Sequence, residues 1–122
     1  MRVVDASVFV EHLLASQPVL DGRDIVAPSV VDLEVFGVWR RLMLSGAITA
    51  SAAREGIEIY AGLKIERRDH ILLLPRIWQL RHDITTFDAA YVALAEALGA
   101  PLLTADRKLA RTARRYVDVV EV

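Results

Sequence analysis

Thr85-Thr86-Phe87-Asp88-Ala89-Ala90-Tyr91-Val92-Ala93-Leu94-Ala95-Glu96-Ala97-Leu98-Gly99-Ala100-Pro101-Leu102-Leu103-Thr104-Ala105-Asp106 reads as a capped helix, a glycine stop, a short apolar strand and then an acid. Phe87, Ala90, Tyr91, Leu94, Ala97 and Leu98 recur at helical spacing, which predicts one side turned to a core. Thr85 and Asp88 stand at the spacing of a capping box. Gly99 and Pro101 end the helix. Leu102-Leu103-Thr104 is too short for another helix and suits a buried strand. The stretch places one carboxylate at a helix start and another at a strand end.

Upstream the same units recur. Arg2-Val3-Val4 reads as a strand ending on Asp5, followed by a helix from Ala6 to Ala15 with Val8, Phe9, Leu13 and Leu14 at helical spacing. Gln17 to Asp24 is a polar connection, and Ile25-Val26-Ala27 a second strand stopped by Pro28. A helix starting at Ser29, with Asp32 at capping-box distance, runs to about Leu44; its apolar residues surround most of its circumference. Thr49 caps a third helix with Ile57, Tyr60 and Ala61 as its apolar line. Lys64 to Asp69 reads as a charged link. His70 to Leu74 fits either a strand or the entry to a helix at Pro75. After Asp106 a helix over Arg107 to Arg114 leads to a last strand at Tyr116 to Val120. Strands alternating with helices predict an α/β fold, a three-layer α/β/α sandwich on a mostly parallel sheet, with residues 1–122 as one domain. Right-handed crossovers gather the strand C-termini on one edge, where ligands of open sheets bind.

Composition narrows the classes. Fifteen basic and sixteen acidic residues nearly cancel, so only a local patch would favour nucleic acid. With no cysteine there is no disulfide, thiolate metal site or cysteine nucleophile. No apolar run approaches the roughly 20 residues of a membrane span. Asp5, Glu11 and His12 break any signal-peptide pattern in residues 1–20, so the expected location is cytoplasmic. The three histidines are too dispersed for a helical metal motif.

Asp5 and Asp106 each follow an apolar strand and so fall on the same sheet edge; Asp88 begins a helix that reaches it. Glu34 sits one turn into its helix with Val30, Val31, Gly37 and Val38 as its neighbours, a costly place for a lone charge. Each acid has a simpler reading: Asp5 and Asp106 as helix caps, Asp88 as part of a capping box, Glu34 as reaching solvent or paired with Arg41. Together, four converging carboxylates would repel and raise one another's pKa. A divalent cation relieves that conflict, and an oxygen-only donor set suits Mg²⁺ or Mn²⁺.

The motifs Val-Val-Asp5-Ala-Ser-Val, Val-Val-Asp-Leu-Glu34-Val, Thr-Phe-Asp88-Ala-Ala-Tyr and Leu-Leu-Thr-Ala-Asp106 resemble the successive acidic motifs of PIN-domain ribonucleases, above all VapC toxins of toxin–antitoxin pairs. The resemblance spans nearly the whole chain. It implies that Asp5, Glu34, Asp88 and Asp106 bind metal and carry catalysis, with Ser7 and Thr104 orienting them. It also implies Mg²⁺- or Mn²⁺-dependent cleavage of RNA, often structured RNA such as tRNA, a VapB-type antitoxin partner and a homodimer.

RNA needs cations. Arg107, Lys108, Arg111, Arg114 and Arg115 crowd into nine positions after Asp106, where they either hold phosphates or form a solvated face open to an acidic antitoxin segment. Arg40 and Arg41 fit the same role. Trp39 and Trp78 are expected as core or subunit contacts. Two rival functions remain at this level. One is a binding module without catalysis. The other is a phosphatase with Asp5 as nucleophile, which usually shows Asp-x-Asp where Ser7 stands here.

Overall fold

The computed structural model describes all residues, Met1–Val122. Its strands are β1 (Arg2–Val4), β2 (Ile25–Pro28), β3 (Ile65–Arg68), β4 (Leu102–Thr104) and β5 (Val119–Glu121). They form one sheet in the order β3-β2-β1-β4-β5. Every neighbouring pair is parallel, with Arg2 beside Ile25, Val3 beside Val26 and Leu102, and Leu102 beside Val119. The helices are α1 (Ala6–Leu14), α2 (Val31–Leu44), α3 (Ala50–Ala61), α4 (Leu74–Gln79), α5 (Thr86–Leu98) and α6 (Arg107–Ala113). None is long and apolar enough to cross a membrane.

Chain order and sheet order together make the layers. The chain steps from β1 outward through β2 to β3, then returns to β4 on the other side of β1 and continues to β5. With right-handed crossovers, that reversal puts α1, α2 and α3 on one face and α4, α5 and α6 on the other. Accordingly α1 packs on α2 and α3, while α4 packs on α5. This is the α/β/α sandwich expected from the sequence. The reversal falls between β1 and β4, so the crevice at a topological switch point opens at their C-terminal ends.

The core joins Val3, Val4, Phe9, Val26, Val31, Val35, Tyr91, Val92 and Leu102, all buried, among 28 residues of one cluster. Residues 89–95 of α5 are buried all round, so this helix is enclosed rather than one-sided. Ala97 and Phe87, expected inside, are exposed. Thr85 takes the N-cap position but its hydroxyl makes no capping bond, so the expected box with Asp88 is open.

Other differences have local causes. β3 lies in Lys64–Asp69, the stretch expected to be a charged link, and residues 71–73 form a 3₁₀ turn into α4. An edge strand pairs on one side only; here Ile65 is buried while Glu66 and Arg67 face water, a pattern that also blocks pairing with another chain. α2 begins at Val31 rather than Ser29 and lacks a side-chain cap. Asp32 instead accepts from the Tyr60 hydroxyl at 2.7 Å and pairs with Arg67 at 2.7 Å, tying α2 to α3 and β3. The inner face of α3 is Ala53, Gly56 and Tyr60, and Ile57 is exposed. Trp39 is buried and its indole N–H donates to Ala53 O at 2.8 Å, whereas Trp78 is 67% exposed with Arg81 over its ring.

Gly56 is where α3 meets that indole: a Cβ there would sit 2.8 Å from Trp39 Cε2. Neither ring nor helix backbone can yield cheaply. Gly56→Ala should therefore lower stability by about 1–3 kcal/mol despite its better helix propensity, read as a shift in the urea midpoint.

Candidate metal-binding active site

β1 and β4 are adjacent and parallel, so the residues that follow them emerge side by side. The Asp5 N–H donates to Leu103 O at 2.9 Å, extending the ladder by one residue and setting Asp5 beside Thr104. Asp5 then caps α1, and Asp106 caps α6 by accepting from the N–H groups of Lys108 and Leu109. The capping role read from sequence is therefore real for both acids, and it aims both at the same edge.

Asp5 is buried and held from one side. Ser7 Oγ donates to its Oδ2 at 2.5 Å and Thr104 Oγ1 donates to the same atom at 3.0 Å. Each hydroxyl also accepts a backbone N–H, from Ala105 to Ser7 and from Asp106 to Thr104, both at 3.0 Å. The 105–106 turn thereby orients both hydroxyls, and they orient Asp5. Oδ1 accepts no bond within the protein and is not sealed away, which leaves it for whatever enters the cavity. Burial raises the Asp5 pKa from its ordinary value, against the pull of Ser7 and Thr104.

Glu34 comes from α2 and Asp88 from the first turn of α5. Glu34 makes no ion pair with Arg41; its Oε1 accepts from the Tyr91 hydroxyl at 2.8 Å. Burial raises the pKa of Glu34, with the charges of Asp5 and Asp88 adding to it. Asp88 is raised by burial first and by Asp5 second. Three acids thus sense one another's fields, and none of the four forms an ion pair with any basic residue.

All four line one cavity of about 580 Å³, together with Ser7. Sequence reasoning missed Glu11, which adds a fifth carboxylate; Arg41 is the single cation in the lining. It also missed Phe87, 58% exposed at the rim, and the polar role of Tyr91. Tyr91 follows Asp88 by three residues, so both share a helix face, a signal hidden by reading Tyr91 as core alone. The donor set is all oxygen, uncompensated and accessible, which suits a hard divalent cation. The carboxylates are not drawn into a tight cluster of three or more; they share the cavity without forming a ready-made cage.

The basic stretch divides. Lys108 is close enough to lower the Asp88 pKa slightly, while Arg107 and Arg111 are exposed and unpaired on α6. Arg114 pairs with Glu121 at 3.1 Å, Arg115 approaches Asp83 at 4.0 Å, and both line a separate depression beside Glu96 and Asp118. His12 closes its loop by accepting from the N–H groups of Val19 and Leu20; His70 and His82 are exposed.

The model of the PIN domain matches residues 2–115. A VapC ribonuclease of Mycobacterium bovis is 33% identical over 125 residues, covering 100% of this chain and 98% of its own length. Ribonuclease VapC1 of Mycobacterium tuberculosis is 42% identical over 116 residues, with 88% and 87% covered. Ribonuclease VapC12 of the same species is 35% identical over 118 residues, with 92% of each covered. In three dimensions the crystal structure of PAE2754 from Pyrobaculum aerophilum superposes with a TM-score of 0.72 at 21% identity, over 96% of this chain and 89% of that one, a likeness of fold. Matched from its first strand through its last helix, and similar to VapC ribonucleases along nearly its whole length, the chain belongs to the PIN-domain family.

Proposed function

We propose that this chain, as a single PIN-like domain over residues 1–122, is a Mg²⁺- or Mn²⁺-dependent endoribonuclease toxin acting in the cytoplasm. One observation carries the reading: four carboxylates from four separate elements line one cavity with no basic partner. The VapC relatives, named as ribonucleases, support RNA as the substrate. Asp5, Glu34, Asp88 and Asp106 are the residues that would hold the cation. When bound, such a cation acidifies a water and offsets charge on phosphoryl oxygens. The chain's own part is positional: Ser7 and Thr104 engage Asp5 Oδ2 and leave Oδ1 without a bond inside the protein. Arg41 in the lining and Lys108, Arg107 and Arg111 on α6 are placed to take phosphates flanking the cut. Arg114 and Arg115 would meet RNA only further along the surface. A VapB-type antitoxin and a homodimer complete the proposal. Leu33, 76% exposed at the cavity rim, and the exposed Leu72 and Trp78 offer apolar surface for such partners.

Aspartyl-phosphate chemistry is less well supported. Ser7 stands where a second acid would serve, and it spends its hydroxyl on holding Asp5.

Asp5→Asn and Asp88→Asn should each lower Mg²⁺-dependent cleavage of purified RNA by more than about a hundredfold, beyond the cost of losing a group that only supports a ligand. Full activity in either variant would refute the assignment. Charge removal at Arg107, Lys108 and Arg111 should flatten the salt dependence of RNA binding, by about one in slope for each phosphate no longer neutralised.

The raised pKa values give a test on stability. A carboxyl whose folded pKa lies above its unfolded value binds protons more tightly when folded. Its stabilising effect is present below the ordinary value, 3.8 for Asp88, and is lost as pH rises through the raised value. Without metal, Asp88→Asn should therefore melt higher than the wild type near neutral pH, and the gap should narrow toward about pH 4. Added Mn²⁺ should raise the wild-type melting point and leave the variant nearly unmoved.

A further inference from the structure

Three of the four acids have their positions set by backbone. Asp5 and Asp106 are N-caps beside adjoining strands, and Asp88 stands in the first turn of an enclosed helix. Glu34 differs: it is a longer side chain, one turn into α2, on a face of valines and a glycine. Its only side-chain bond is the one its Oε1 accepts from Tyr91 at 2.8 Å. Glu34 Oε2 accepts none within the protein.

Tyr91 is fully buried, with 0% exposed, and packs within α5 one turn past Asp88. The ring accounts for the packing, and a phenylalanine would fill the same volume. The oxygen is accounted for by Glu34 alone, since the hydroxyl has no other partner. A buried hydroxyl left without a partner is costly, so the oxygen depends on that carboxylate. The two helices belong to opposite layers of the sandwich. α2 is packed on α1 and α3, and α5 on the strands and α4, so the bond crosses the crevice over the sheet edge.

We infer that Tyr91 is a positioning residue for the metal-binding acids: by fixing Glu34 Oε1 across the crevice, its hydroxyl sets where α2 presents that carboxylate to the cation. This role rests on the metal-dependent reading proposed above. It makes one turn of α5 supply both an acid of the set, Asp88, and the donor that places another. Hydrogen-bond partners of metal ligands commonly carry 10- to 100-fold in metal affinity, roughly the size expected here.

The test is a double-mutant cycle read by calorimetric Mn²⁺ titration, with RNA cleavage and far-UV circular dichroism alongside. Tyr91→Phe should keep the wild-type spectrum, weaken Mn²⁺ binding about 10- to 100-fold and lower kcat comparably, with KM changed less than about twofold. In a Glu34→Gln background the same substitution should change Mn²⁺ affinity no further. Wild-type Mn²⁺ affinity in Tyr91→Phe would overturn the inference, as would an equal loss in both backgrounds, which would mark a merely structural role. Should Tyr91→Phe lose its fold, Glu34→Asp, too short by one methylene to keep the bond, should show the same loss of Mn²⁺ affinity; undiminished binding there overturns the inference. If the wild type itself neither binds Mn²⁺ nor cuts RNA, the metal-dependent reading falls and takes this role with it; if the wild type does both, failure belongs to Tyr91 alone.

Discussion

Carboxylates confined to one hollow repel one another, and the C-terminal edge of this sheet is built against that repulsion. Asp5 is buried, Glu34 and Asp88 are half-buried, and burial raises all three pKa values. A protein selected for stability alone would place apolar side chains there, as it does along the rest of α5. Asp5, Glu34 and Asp106 are held instead by devices that leave one oxygen of each without a bond inside the protein: two caps, two hydroxyls and one tyrosine. The cost of gathering charge is carried by a rigid frame, which is the usual trade at a functional site.

The frame follows from topology. Because β1 lies between β2 and β4, its C-terminal end meets both directions of chain travel, and loops from either side leave a crevice there. Asp5 and Asp106 enter it as direct continuations of paired strands. Glu34 and Asp88 enter it from helices in opposite layers. Two tyrosine–carboxylate bonds, Tyr60 to Asp32 and Tyr91 to Glu34, fasten the first turns of α2, which has no side-chain cap of its own.

Much of this was legible before any coordinates. Parallel topology followed from the alternation of short strands and helices, Asp5, Asp88 and Asp106 stood out by their places at strand ends and a helix start, and Glu34 by its charge among valines. What stayed hidden depended on tertiary partners. β3 carries Glu66, Arg67 and Arg68 and shows no apolar alternation; it is a strand because β2 offers it an unpaired edge. Phe87 has helical spacing with the core residues of α5, but the first turn of that helix overhangs the crevice, where nothing covers it. Ile57 shares the apolar spacing of α3, yet the close approach of Trp39 at Gly56 turns the helix onto its small face. Tyr91 was visible as a buried aromatic and not as a donor, since its partner lies 57 positions away.

If residues 5, 34, 88 and 106 form a single cation site, diffraction locates the cation directly. Crystals grown with Mn²⁺ and measured near the manganese edge should show an anomalous peak in this cavity, about 2.1 Å from oxygens of Asp5 and at least one more of the four acids. A strong peak only elsewhere on the molecule, with the cavity holding water, would contradict the account.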